Sequence, residues 1–597
     1  MGTRSISFGL LACVAAAICG GCKKSEPPAP PSAAPAADLV ARVHWLGKKR
    51  LAAEPNAAYF MTLWNLPESA ALEAQTLDRL ARALAHDTNQ LATLSSTNPP
   101  IHQSTNPLAS QSPNPSTPGS NTPSAPAPIN PPIHQSTNPF SALRPLVDDL
   151  LNAESYLEIH QRTNQPGNLA LAIRISAQRA ELWETNLAAA LESLTGARPV
   201  ASPDGARAWP LSQPSTINSQ LSTSTRHLQL SRAGDWTLLG LGQQPNPLLA
   251  DFLARIQRGF APFPPRATNF WLETDLDLRA LSRALSLGWD LPDGCPKISL
   301  TAIGDGENVR TRAQLNFPKP LALQLEPWRV PTNLVHSPLT SFTAIRGFGP
   351  WLASLQDWQS LQVGEPPNQV YFWAEGPAPL TSFGAVPLPG ASNGVYHLAD
   401  HLLQAGNPWL ATNGLGKFQR TTNADEVVWG NLPFMQPYLK SVAATGEHFV
   451  LAGLGPMPSG PRPRPPGLFE QFLEHTNLVC YDWEMTGSRV DACIYIGQFF
   501  RFVLHKAQVP PQSLSIAWLH ALEARLGNTG TTITQTGPAQ LSLLRKSNLG
   551  LTAAELQLFV DWLESPKFPR GLNTFVAPYM PPPRHRPSTN AAPAQPK

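Results

Sequence analysis

The sequence predicts an α+β protein built from two tandem copies of a β-hairpin and helix unit, with mainly antiparallel sheets and the copies related by a pseudo-twofold axis. Three observations carry that expectation. GDWTLLGLG from Gly234 is echoed by GEHFVLAGLG from Gly446, and in both an apolar strand closes on glycine. A short helix of pattern apolar-apolar-x-x-apolar-apolar follows each, and a new strand then opens at Thr268 and Asn269 in one copy and at Thr476 and Asn477 in the other. Downstream, a helix (Leu278 to Leu287; Val490 to Leu504) leads to an alternating hairpin, KISLTAIGDGENVRTRAQLNF or TTITQTGPAQLSLLRKS. The match also runs upstream. SYLEIHQRTNQPGNLALAIRIS and a helix from Arg179 to Leu194 correspond to QVYFWAEGPAPLTSFGAVPLP and a helix from Val395 to Leu403. A chain of 597 residues has a length prior of about four units, which the repeat reduces to copies at about 39–320 and 321–566.

From the N-terminus, Arg4 precedes an apolar run from Ile6 to Ile18, then small residues and cysteine, the order of a secretory signal peptide. Thirteen residues are too few to span a hydrocarbon core, which takes about 20 in a helix, and no later stretch is long and charge-free enough. Gly20, Gly21 and Cys22 resemble the end of a bacterial lipoprotein lipobox. The resemblance covers residues 1–22 only. It implies that Cys22 becomes the lipid-modified first residue, anchored to a membrane of the cell envelope on its periplasmic face or at the cell surface; cleavage elsewhere would leave a secreted protein. Residues 23–38, rich in Pro and Ala, form an extended tether.

The decapeptide NPPIHQSTNP occurs at Asn98–Pro107 and again at Asn130–Pro139, inside a Ser, Thr, Asn, Gln, Pro and Ala segment at about 95–139. A shorter insert at about 213–226 has the same character, and neither has a counterpart in the second copy. Such segments bury too little apolar surface to offset an ordering cost of about 1–2 kcal/mol per residue, so disorder is expected and His102 and His134 are loop histidines. Residues 567–597 form a Pro-rich tail. With a net charge of +3 and basic residues scattered along the chain, no nucleic-acid footprint exists.

Four features invite a chemical reading. HLADH places His397 and His401 at i and i+4 on one helical face, a spacing that can hold a metal ion. It resembles the HxxEH motif of inverted zinc peptidases, with Asp400 where that family has glutamate. The apolar stripe Val395, Leu398, Ala399 and Leu402 turns both histidines toward solvent, and no third ligand is nominated, so an exposed surface pair is the simpler expectation. GASNG at Gly390–Gly394 has the letters of a nucleophile elbow, but Pro387 and Pro389 argue against the strand that motif requires, and Ser392 or Asn393 is expected to cap a helix starting near Val395. Cys480 and Cys493 would face each other, and form a disulfide, if CYDWEMTGSRVDAC were a hairpin; Ser488 with Asp491 and the spacing of Val490, Cys493, Ile494, Gly497 and Phe500 favour a helix and free cysteines. The 16 tryptophans are spread over both copies, which favours core anchoring over glycan stacking.

These observations lead to the expectation of a lipid-anchored envelope protein with no cofactor, acting as a non-catalytic binding, scaffold or assembly protein with an envelope protein or glycan partner. An envelope hydrolase, metal dependent through His397 and His401, is the alternative. An enzyme should gather titratable groups in a cleft, whereas a binding module should offer an apolar or aromatic groove, with the space between the copies as its expected place.

Overall fold

The structure is a computed structural model that describes residues 38–569, apart from 94–138, 162–166, 197, 202–205, 212–225, 267–268, 285–290, 362–363, 377–380, 413, 424, 433–434, 458–461, 504–512 and 566–567. The leader with Cys22, the tether to residue 37, nearly all of both inserts, and the tail beyond Pro569 lie outside the described residues.

Among the described residues, ten strands precede residue 320: β1 (Asp38–Trp45), β2 (Ser155–Gln161), β3 (Asn168–Arg174), β4 (Val200–Ala201), β5 (Arg207–Leu211), β6 (Arg226–Ala233), β7 (Trp236–Gly242), β8 (Leu272–Asp277), β9 (Lys297–Asp305) and β10 (Asn308–Asn316). Ten follow it: β11 (Leu339–Arg346), β12 (Gln369–Glu375), β13 (Ser382–Pro387), β14 (Lys417–Arg420), β15 (Glu426–Gly430), β16 (Tyr438–Ala444), β17 (Glu447–Gly453), β18 (Leu478–Met485), β19 (Asn528–Gly537) and β20 (Gln540–Ser547). Every pairing is antiparallel, and the hydrogen-bonded order is β4-β5-β6-β7-β3-β2-β1-β8-β9-β10-β20-β19-β18-β11-β12-β13-β17-β16-β15-β14. The fold is therefore α+β around one continuous antiparallel sheet. The two halves meet at the β10–β20 ladder, and the sheet ends on β4 and β14, two short strands that offer little edge for further pairing.

Helices cover both faces, and strand alternation decides what each meets. On β3, Leu171 and Ile173 pack against Leu146 of helix Pro139–Asn152 and against Trp183 and Leu187 of helix Ala177–Thr195. Ala170 and Ala172, on the opposite face, are small enough to seat Leu248, Leu249 and Phe252 of helix Pro247–Gln257. That helix starts sharply because the Asn246 side chain accepts from the Leu248 and Leu249 N–H groups ahead of Pro247 at its first turn. In the second half, β11 is buried along its whole length, with Phe342 and Ala344 in one core and Ile345 in another. A strand covered on both faces needs apolar or hydrogen-bonded residues throughout, which LTSFTAIR supplies. Trp183 and Trp209 lie in the first of these cores and Trp373 in that of Phe342, while Trp271 is buried with Leu46, Leu51 and Met61.

The helix after β18 begins at Thr486, so Ser488 and Asp491 sit inside its first turns and form no capping box at its start. The Thr486 hydroxyl instead bonds that of Thr529 on β19 at 2.6 Å, which fixes the helix start to the sheet.

Helices of the first half also dock on those of the second. Trp518 Nε1, on helix Leu514–Glu523, donates to Ser69 Oγ on helix Pro67–Thr93 at 2.9 Å. Arg79 donates to the carbonyls of Leu563 and Ser565 at the end of helix Ala553–Leu563, and its guanidinium lies 5.2 Å from the Phe568 ring centre.

Candidate functional site

Two concavities stand out. The first is an apolar groove of about 350 Å³ between the halves. One wall carries Phe60, Leu63 and Trp64 from helix Ala58–Trp64, Leu72 and Leu77 from helix Pro67–Thr93, and Leu151. The other carries Trp518, Leu522, Leu556, Phe559 and Leu563, with Leu549 and Leu551 after β20. Four of its five hydrogen-bonding side chains, Ser69, Glu73, Trp64 and Trp518, are already engaged, and Thr76 is the fifth. Ser69 Oγ donates to the Leu63 carbonyl at 2.7 Å and accepts from Trp518, and Glu73 Oε2 accepts from Lys48 Nζ and Trp64 Nε1, each at 2.6 Å. With those groups saturated, the groove discriminates by shape and apolarity.

The second is a charged pocket of about 580 Å³ at the start of helix Ala177–Thr195, lined by Lys49, Arg50, Arg174 and Arg179 and by Asp149, Glu154 and Asp235. Its three carboxylates each pair with an arginine, and Lys49 is a further cation on the lining. Arg179 meets Asp149 at 2.7 Å, Arg50 meets Glu154, and Arg174 lies 3.6 Å from both Glu154 and Asp235. Burial works to raise the Glu154 carboxyl, but hydrogen bonds from His44 and Arg50 outweigh it and hold the group below its usual range. The Ser176 hydroxyl accepts the Arg179 N–H as a helix cap, and no imidazole lines the pocket to activate it as a nucleophile.

His397 and His401 are both exposed on helix Ala391–His401, while Val395 and Ala399 are buried and Leu398 half-buried, as the apolar stripe predicts. Asp400 is taken by Arg420 at 2.7 Å, and the guanidinium lies 3.9 Å from the Tyr396 ring centre. Among the described residues neither histidine belongs to a set of three ligand atoms close enough to share an ion. The GASNG segment corrects two expectations. A strand does precede it, since β13 lies between β12 and β17 and ends at Pro387, where the missing N–H falls at the last position of the strand. The helix starts at Ala391 behind Gly390, whose φ of 69° is the left-handed conformation that favours glycine, so neither Ser392 nor Asn393 is the cap. Ser392 Oγ faces Asp425 and Ser441, at 3.3 and 3.2 Å.

Cys480 and Cys493 are free thiols, as is Cys295. The Cys480–Cys493 bridge is ruled out by topology: Cys480 on β18 is flanked by Ile345 and Ile533 of the neighbouring strands, while Cys493 lies two turns along helix Thr486–Val503. Burial pushes both thiols up.

The sequence reading missed two features. The groove's liners were legible only as separate core residues, because its walls come from opposite ends of the chain. It also passed over Asp491, His520 and Glu523, whose ligand atoms all lie within 4.8 Å of one another. His520 and Glu523, at i and i+3, were the available signal. Among the described residues no helix is long and apolar enough to cross a membrane. Compared with known proteins, the chain matches no family model, no curated protein and no solved structure.

Proposed function

We propose that this is an exported lipoprotein, anchored to a bacterial envelope membrane through Cys22, whose body binds an apolar ligand without catalysis in the groove between its halves. The single observation that carries the reading is the groove itself: leucines and aromatics from both halves line it, and Ser69 and Glu73 on its wall are already paired. The charged pocket favours no competing chemistry, because each of its carboxylates is already paired with an arginine. The leader and Gly20-Gly21-Cys22 support the anchor, and the lack of a helix long and apolar enough to span a membrane among the described residues is compatible with it. The ligand, on this reading, is an apolar moiety presented by an envelope lipid, protein or glycan conjugate.

The groove owes its position to the architecture, which we read as a tandem duplication with pseudo-twofold symmetry. Adding ten to each strand number converts the neighbours of β1–β10 into those of β11–β20. The joining ladder is self-complementary too. Counted from the first strand residue after each hairpin turn, Asn308 and Gln540, the equivalent residues Arg312 and Leu544 stand opposite each other, as a dyad through the ladder requires.

The test is binding of N-phenyl-1-naphthylamine, whose fluorescence rises on leaving water. The wild type should bind one probe per chain, and Thr76→Trp, which fills the groove from its wall, should abolish binding with little change in melting temperature. Equal probe binding by the two proteins, or none by the wild type, refutes the reading.

A further inference from the structure

We infer that Asp491, His520 and Glu523 form a divalent-metal site, with Zn²⁺ or a chemically similar transition-metal ion as its ligand, that ties helix Thr486–Val503 to helix Leu514–Glu523. Asp491 lies on the first helix, and His520 and Glu523 lie one turn apart on the second, so an imidazole and a carboxylate share one face opposite the third group. The helices are already held together by Val490, Ile494, Ile516 and Leu519, which fixes the spacing of the backbones that carry the ligands. His520 Nδ1 is 3.8 Å from Glu523 Oε2, and all three ligand atoms lie within 4.8 Å of one another. Tetrahedral zinc with bonds of about 2.0–2.2 Å needs its donors about 3.3 Å apart. Side-chain movement of at most about 1.5 Å closes the difference, and the exposed imidazole and half-buried carboxylates have room for it.

The charge pattern points the same way. Asp149, Asp305 and Asp400 each have an arginine at 2.7 Å. Asp491 and Glu523 have no lysine or arginine ion pair among the described residues, and His520 is the one basic side chain paired with Glu523. Two carboxylates held this close repel each other unless a cation lies between them. One imidazole with two carboxylates suits zinc, manganese or iron better than magnesium, which prefers oxygen ligands and retains its waters. Three protein ligands leave a fourth position for water on the solvent side. The consequence reaches the groove, because the helix that carries His520 also supplies Trp518 and Leu522 to its wall.

The test is titration of the full chain, without a histidine tag, by Zn²⁺ alone and by Mg²⁺ alone, read by calorimetry and by melting temperature. The expected result is one Zn²⁺ per chain with a raised melting temperature and no response to Mg²⁺. His520→Ala and Asp491→Asn should each weaken zinc at least tenfold, while His397→Ala with His401→Ala leaves it unchanged. The inference is overturned if the wild type binds no zinc, or if binding survives both single variants or is lost only in the double variant at the other helix. Because the readout is metal occupancy, it stands or falls separately from probe binding in the groove.

Discussion

Glu484→Gln should make the protein more stable at pH 8 and change it far less at pH 5. Glu484 is buried on β18 between β11 and β19, and its Oε1 accepts the Ala553 N–H at 2.7 Å at the start of helix Ala553–Leu563. Burial, reinforced by the neighbouring Asp482 carboxylate, pushes the Glu484 carboxyl up to about 7. An acid that binds its proton more tightly when folded contributes full stability below its unfolded value of 4.5, and that stability is lost as pH rises to about 7. Between those values the difference amounts to about 3 kcal/mol, at about 1.4 kcal/mol per tenfold change in proton affinity. Glutamine keeps an oxygen for Ala553 and removes the charge, so the variant should gain about 3 kcal/mol at pH 8 and about 1 kcal/mol at pH 5. Urea denaturation at both pH values measures it. An equal gain at both, or a loss at pH 8, would show that the carboxyl ionises without penalty in the folded protein.

Three further outcomes follow from named contacts. Gly47→Ala should destabilise by at least about 2 kcal/mol in thermal melts, because an added Cβ would lie 2.5 Å from the Ala153 carbonyl carbon at a backbone φ of +87°. Glu555→Ala should cost about 3–5 kcal/mol, since it strips the buried Arg545 guanidinium of its carboxylate and opens the capping box with Thr552; an urea midpoint close to wild type would contradict this. Cys22→Ser should move the protein from the membrane to the soluble fraction or leave an uncleaved precursor, and a variant processed at the normal site that stays membrane-bound after a high-salt wash would remove the case for the anchor.

What could be read from sequence was local. The hairpins β9–β10 and β19–β20 announce themselves by alternation around short turns, and the helix after β3 by its periodicity. Order along the chain exposed the likeness around Gly234 and Gly446, since β7 and β17 sit in matching runs of elements. The β10–β20 ladder was invisible, because a strand's free edge carries no mark of which distant strand will fill it. Pro387 misled for a related reason: whether a proline N–H is missed depends on where the strand ends, and β13 ends on it. At Thr486 the side-chain partner of the helix start lies 43 residues away on another strand, so the local cap pattern at Ser488 placed the helix start at Val490, four residues late.

The groove's two walls impose an order on events. Ser69 and Trp518, which join across it, are 449 residues apart, and the opposing wall continues to Leu563. In a chain emerging N-terminus first, helix Pro139–Asn152 covers Leu77 and Ala81 of helix Pro67–Thr93 early, but the residues facing the groove wait for Trp518 and the helices beyond it. Chains cut short before helix Ala553–Leu563 would lack Leu556, Phe559 and Leu563 from the second wall, so under the proposed function ligand capture would report that synthesis has reached that helix.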